Sequence, residues 1–186
     1  MLSTPFDLDK GLTLAETRAH FGSWAIVSSP LTLSHDPNNQ TVMDAIWPLI
    51  SNREVLEVSQ SYVDHSGSPF KQSEQTVRLA TVNSAKISKH MTKEELQSVG
   101  PFDAPTWQYF YKPIKADGAK TAVLLMNHGN KTADLTLDFA DVPGLKCSSC
   151  NVRDIWNHQD LGSFDTSVVA KTVASHDAAF YVITPA

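Results

Sequence analysis

Apolar positions recur at helical spacing through the first third of the chain and alternate with polar ones after residue 67. Ala15, Ala19, Gly22 and Ile26 fall on one face of a 3.6-residue helix. Thr13 followed by Glu16 is a capping box, in which hydroxyl and carboxylate each satisfy an orphan N–H at the helix start. Three of the four face residues are small, so this helix is predicted to pack closely on a neighbouring backbone. Pro30 is expected to end it, and Leu31 and Leu33 are the apolar positions of a short strand at 31–34. Asp36-Pro37-Asn38-Asn39 has the chemistry of a loop. A second capping signal at 41–44 opens another helix with Ala45, Ile46 and Leu49 on its apolar face. Pro48 is expected to kink or restart it.

Beyond Gly67, short alternating runs at 76–82, 106–114, 121–126, 133–139, 151–156, 168–173 and 178–184 are punctuated by Gly, Asn and Pro. That pattern predicts an antiparallel β-sandwich. The helix followed by a strand ending near Asp36 reads differently, as one step of a β/α barrel with the strand's C-terminal end at the active-site face. A barrel needs eight such strands, and the chain does not supply them. The expected fold class is therefore α+β: residues 1–65 as the incomplete end of a (β/α)8 barrel, a helix-strand-helix unit, and residues 66–186 as a C-terminal antiparallel sandwich with an inserted loop near 84–105. A short helix is expected inside that loop at 93–97.

Specific motifs carry a resemblance. Leu12-Thr-Leu-Ala-Glu-Thr-Arg-Ala-His-Phe-Gly-Ser-Trp-Ala-Ile26, then Ser29-Pro-Leu31, then Asp36, resemble the late barrel of the α-galactosidase (melibiase) family of glycoside hydrolases. Thr41-Val-Met-Asp-Ala-Ile-Trp-Pro-Leu-Ile-Ser-Asn-Arg-Glu-Val-Leu-Glu-Val-Ser-Gln60 resembles the family's last barrel helix and the segment after it. His65-Ser-Gly-Ser-Pro69 resembles the turn into its C-terminal domain. Val152-Arg-Asp-Ile-Trp156 and Asp160-Leu-Gly-Ser-Phe164 resemble that domain's late strands. Residues 75–105 depart from the pattern, and 89–100 read as an insertion.

The resemblance implies hydrolysis of terminal α-galactosyl residues by a retaining two-aspartate mechanism. It places both aspartates on barrel strands that precede this chain, so no catalytic residue is expected here and the chain alone is expected to be inactive. Met1 corresponds to the end of the family's sugar-binding segment, or is only a first residue. Asp36 supports the pocket from behind, or only makes an Asx turn before Pro37. Arg18 and His20 are expected to pack and hydrogen-bond rather than react. The other reading of the chain is a non-catalytic carbohydrate-binding or interaction module, for which Trp107, Tyr109 and Tyr111, alternating along one strand face, are the natural stacking surface. Burial of that stripe is the plainer expectation.

Composition changes this picture little. The formal net charge of −5 gives no basic footprint for nucleic acid, and no apolar run reaches the length of a membrane span. The histidines show no metal-binding spacing, and neither a metal nor a cofactor is expected. Cys147-Ser-Ser-Cys150 fits a redox pair, half a zinc site or a local disulfide; the resemblance implies the disulfide. Asn39-Gln-Thr and Asn130-Lys-Thr are N-glycosylation sequons. With the cysteine pair they point to the secretory pathway, and to a lysosomal, vacuolar or extracellular destination. The partner implied by the resemblance is a galactose-containing saccharide. The small face of the N-terminal arm, shaped for a barrel sheet, is expected either to bury against the sandwich or to self-associate, and to be the least stable part of the chain.

Overall fold

The computed structural model describes residues 12–33, 36–79 and 102–186. Met1, His35, most of the insert expected near 84–105 and the helix expected at 93–97 lie outside the described residues. Among the described residues three helices come first: α1 (Leu14–Ile26), α2 (Gln40–Ile50) and α3 (Arg53–Gln60). The capping box forms as the sequence requires. The Thr13 hydroxyl accepts the Glu16 N–H at 3.2 Å and the Glu16 carboxylate accepts the Thr13 N–H at 2.6 Å. α1 stops four residues short of Pro30. Ser28 turns into the left-handed region (φ 57), and the Ser29 N–H closes back on the Trp24 carbonyl at 3.0 Å.

The segment expected as a strand at 31–34 is reduced, among the described residues, to an isolated bridging position at Leu33. Two alternating leucines make a strand only where pairing runs on along a neighbour, and among the described residues it does not extend beyond Leu33. Pro48 lies in the last turn of α2, and the chain restarts as α3 after Asn52. Asn52 does two things. Its Oδ1 caps the Glu54 and Val55 N–H groups, and its Nδ2 donates to the Ile155 carbonyl at 2.7 Å, tying α3 to the β layer.

Among the described residues ten strands follow: β1 (Ser68–Gln72), β2 (Thr76–Leu79), β3 (Phe102–Pro105), β4 (Trp107–Lys115), β5 (Lys120–Asn127), β6 (Ala133–Asp138), β7 (Cys150–Asp154), β8 (Gln159–Phe164), β9 (Ser167–Val173) and β10 (Ala178–Pro185). All pairings are antiparallel. Six strands form the main sheet in the order β1-β4-β5-β10-β7-β8, while β6 pairs with β9 and β2 with β3. The expected sandwich is therefore present. β1 and β3 were not predicted, and β8 was expected only from the resemblance of Asp160–Phe164 to late strands, not from alternation.

The main sheet has two apolar faces. On one, Val123, Leu125, Val152 and Ile183 pack against Leu135, Leu137, Val168 and Ala170 of the β6–β9 pair. On the other, Ala122, Leu124, Phe180 and Val182 pack against Phe21, Ala25 and Ile26 of α1 and Val55 and Val58 of α3. The result is three layers: helices, main sheet, second sheet. Gly22 makes the helix contact close, because a Cβ there meets Leu124 Cδ1 at 2.9 Å and Trp156 Cζ2 at 3.2 Å.

The expected open face of the arm is thus covered. Phe21 is 1% exposed and Val55 fully buried, and each such side chain contributes about 1.5–3 kcal/mol. Leu14, Leu33 and Trp47 remain exposed. The aromatic stripe also turns inward. Tyr109 is buried, and Trp107 and Tyr111 pack beside it, with Phe70 edge-on to Tyr111 at 5.8 Å between ring centres. No helix among the described residues is long and apolar enough to cross a membrane.

Cys147 and Cys150 form a disulfide across a loop leading into β7, with Cα atoms 5.7 Å apart. A ring this short restricts the unfolded chain only modestly, by about 2 kcal/mol. Full reduction is therefore expected to lower the melting temperature by about 4–8 °C, read by thermal denaturation with and without reductant. An unchanged melt after confirmed reduction sinks this estimate.

Candidate functional site

The residues singled out from sequence do not converge on one site. Asp36 is exposed, and its Oδ1 accepts the Asn38 backbone N–H at 2.9 Å and the Asn38 side-chain amide at 3.0 Å. That is the Asx turn. Asn39 is exposed at the start of α2, and its Oδ1 accepts the Val42 N–H at 3.2 Å. Asn130 is exposed in the turn between β5 and β6. Met1 lies outside the described residues. Among the described residues, no cluster of three or more metal-ligating side chains occurs.

The polar chemistry lies instead where the helices meet the sheet. Arg18 of α1 reaches Asp177, just before β10. Its Nε donates to Asp177 Oδ1 at 2.8 Å and its Nη2 donates to Oδ2. Asp177 is buried and also accepts the Ala178 N–H at 2.7 Å. The hydrogen-bonded carboxylate raises the Arg18 pKa above its ordinary value despite partial burial. One turn along, His20 Nε2 accepts the Trp24 indole N–H at 2.8 Å, and burial lowers the His20 pKa. Both residues pack and hydrogen-bond, in keeping with their sequence reading.

Beneath α3, Lys112 of β4 is fully buried. Its ammonium donates to the Ser28 hydroxyl at 2.6 Å, the Ser59 carbonyl at 3.2 Å and the Val58 carbonyl. The two carbonyls belong to the last turn of α3, where no intrahelical N–H is left for them. One side chain therefore closes the ends of two helices on the sheet. Burial pushes its pKa down to about 8.

At the far end of α3 lies a cleft of about 490 Å³ between the helix and strands β7, β8 and β10. Val58, Ile114, Val152 and Val182 floor it. Its rim is charged but internally paired. Arg153 donates twice to Glu54, at 2.9 and 3.0 Å, and lies 3.2 Å from Asp160; His158 meets Glu54 at 2.6 Å; Lys120 meets Glu57 at 2.5 Å. The hydrogen bonds from Arg153, and then from His158, lower the Glu54 pKa. Arg153 serves both Glu54 and Asp160, and Lys120 serves Glu57, so this rim joins helix to sheet through a linked set of ion pairs. Sequence reasoning missed Lys112, Asp177 and the Glu54–Arg153 pair. Arg18 and Asp177 are 159 positions apart, and no local spacing signals such a contact.

Residues 104–183 match the alpha galactosidase C-terminal beta sandwich domain. The chain is 29% identical over 177 residues to the α-galactosidase of Coffea arabica, covering 94% of this chain and 37% of that protein. It is 25% identical over 175 residues to the α-galactosidase of Cyamopsis tetragonoloba, covering 94% and 34%. Its fold superposes on α-galactosidase I from Mortierella vinacea with a TM-score of 0.68 at 21% identity, over 97% of this chain and 39% of that one. Against the α-galactosidase of Saccharomyces cerevisiae the TM-score is 0.66 at 17% identity, over 95% and 44%. The chain spans little more than a third of the length of these curated relatives. With a matching alpha galactosidase C-terminal beta sandwich domain at 104–183 and α-galactosidase relatives that align along nearly its whole length, the chain corresponds to a C-terminal part of the full-length α-galactosidases it matches.

Proposed function

We propose that this chain forms the C-terminal part of a retaining glycoside hydrolase that removes terminal α-galactosyl residues from saccharides. Retention needs two carboxylates about 5–5.5 Å apart, one as nucleophile and one as acid/base. In this reading both aspartates come from barrel strands ahead of the chain, which is inactive without them. Residues 1–65 are the last part of the barrel and 66–186 the sandwich domain, with the insert near 84–105. The observation that supports the reading is the shared core of α1, α3 and the main sheet, which fixes the N-terminal helices to the sandwich.

In this reading Asp36 lies toward the sugar-binding end and shapes its loop through the Asx turn, and Met1 corresponds to the end of the family's sugar-binding segment. The exposed Leu14, Leu33 and Trp47 are the surface for preceding barrel elements or, in their absence, for a second copy. Asn39 and Asn130 are glycosylation acceptors. With the disulfide they fit passage through the secretory pathway to a lysosomal, vacuolar or extracellular site.

A chimera tests this: the corresponding C-terminal part of the Coffea arabica α-galactosidase is replaced by this chain and assayed on an aryl α-galactoside. The chimera is expected to turn over, and the chain alone to stay at the uncatalysed rate. A folded but inert chimera overturns the reading. Turnover by the chain alone overturns the assignment of both carboxylates to the preceding strands.

A further inference from the structure

The main sheet opens at one point. β7 pairs with β10 from Pro185 back to Tyr181, which lies opposite Asp154. One more bond follows, from the Ile155 N–H to the Phe180 carbonyl at 3.0 Å, and β7 then turns away. β10 begins earlier, at Ala178, so its first residues face a gap instead of a strand. β9 closes one side of the gap and Arg18 of α1 the other, leaving a notch of about 210 Å³.

The polar groups that line the notch are held by partners within the fold. Arg18 is held by Asp177. Lys171 at the rim is held by Asp134 at 2.9 Å. Asp154 Oδ1 accepts the Trp156 and Asn157 N–H groups at 3.0 and 3.1 Å, and its Oδ2 accepts the Asn157 amide at 2.7 Å. An ion of either sign would meet a like charge here, Asp154 and Asp177 for an anion and Arg18 for a cation. Hydrogen-bonding capacity is nevertheless left over. The Tyr181 side chain is 4% exposed, and its hydroxyl has no partner among the described residues. The Nη1 group of Arg18 is unused there as well. The desolvated phenol and the nearby Asp154 charge raise the Tyr181 pKa, so its hydroxyl stays protonated and available as a donor. The notch wall includes an aromatic side chain, Trp156.

Groups of this kind suit a neutral ligand bearing several hydroxyls. Each hydroxyl both donates and accepts, so one molecule can donate to the spare lone pairs of Asp154 and Asp177 and accept from Arg18 Nη1 and Tyr181. We propose that this notch is a saccharide subsite for a single pyranose unit. Only the choice of galactose as the probe sugar rests on the proposed function.

The full chain, labelled with ¹⁵N, is titrated with methyl α-D-galactopyranoside, following the Trp156 indole N–H and the Arg18 Nε–H. Glycerol serves as a control for simple filling of the notch by small hydroxyl compounds. Saturable shifts of both resonances are expected, with affinity about three- to tenfold weaker in Tyr181→Phe, which removes one hydrogen bond and little volume. Asp154→Asn, which keeps the shape and removes a charged acceptor, is expected to weaken binding by about tenfold or more. Absent shifts, equal shifts with glycerol, or affinities unchanged in both variants overturn the subsite. Because the titration reads binding by the chain alone, an inert chimera leaves this result standing, and an active chimera does not supply it.

Discussion

Lys112→Ala is expected to lower the unfolding free energy by about 3–5 kcal/mol at neutral pH. The substitution removes three donors at once. The carbonyls of Val58 and Ser59 and the hydroxyl of Ser28 lose their partner in a site without solvent access at the lysine. Each buried acceptor left unpaired costs about 1–3 kcal/mol, and loss of the butyl stem adds a cavity beneath α3. Lys112→Met keeps the stem and separates the two contributions, so it should cost less.

The pH dependence gives the same lysine a second signature. Its pKa in the fold is about 8, against 10.5 for the free side chain. Between those values the unfolded chain holds the proton and the native protein does not, so native stability rises with pH across that window. Below about pH 8 the full penalty of the buried charge is present. By about pH 10.5 it is relieved, by up to about 3 kcal/mol at 1.36 kcal/mol per pH unit. The stability of the wild-type chain relative to Lys112→Met should therefore increase from about pH 8 to about pH 10.5, measured by denaturant unfolding at each pH. A difference that stays flat means that the amine reaches water and that the clamp is not dry.

Lys112 also shows where the sequence stops informing. Along β4 it alternates with Trp107, Tyr109 and Tyr111, and alternation alone assigns it to the opposite face. That this face is covered there depends on the ends of α1 and α3, whose meeting point no local pattern encodes. The start of α1 was legible because the Thr13–Glu16 box is a contact between residues three apart. Its small face was legible too, but not its target, since Leu124 and Trp156 lie more than a hundred positions away.

Strands were legible where both faces are buried, as in β5 and β10. β8 lies at the sheet edge with four of its six residues exposed and Gly162 at φ 97, so it carries little hydrophobic signal. β1 holds Pro69 and Lys71, which argue locally against a strand, and as the other edge it tolerates both. The alternating Leu31 and Leu33 show the opposite case, a strand pattern that is realised among the described residues only as the bridge at Leu33. The candidate site residues divide in the same way. The Asx turn of Asp36 is local and was foreseen, whereas the Arg18–Asp177 and Glu54–Arg153 pairs are products of the tertiary fold.

Gly67→Ala is the sharpest test of how the helices are held to the sheet. Gly67 stands between the last helical residues and β1, and its N–H donates to the Ile26 carbonyl at 3.0 Å. A Cβ built there falls 2.1 Å from that carbonyl oxygen and 2.8 Å from its carbon. The obstruction is backbone, so no rotamer change relieves it; either α1 moves away from β1 or the connection at residue 67 bends. Moving α1 gives up the Gly67 bond and strains the contacts of Ile26, Val55 and Val58, which are almost fully buried. The expected loss is about 3 kcal/mol or more, in the range that overpacking and a lost buried hydrogen bond reach together. Its distribution matters more than its size. Helices and sheet share one core, so amide exchange in wild-type α1 and α3 should be slow, comparable with β5. In Gly67→Ala the helices should exchange faster while the face of the sheet packed on β6 and β9 keeps its protection, because that second core lies on the opposite side. Fast exchange of α1 and α3 already in the wild type would show that the arm is held loosely, as its sequence alone suggests, and that the shared core contributes little. Equal acceleration in helices and sheet would show that the two cores unfold as a single unit.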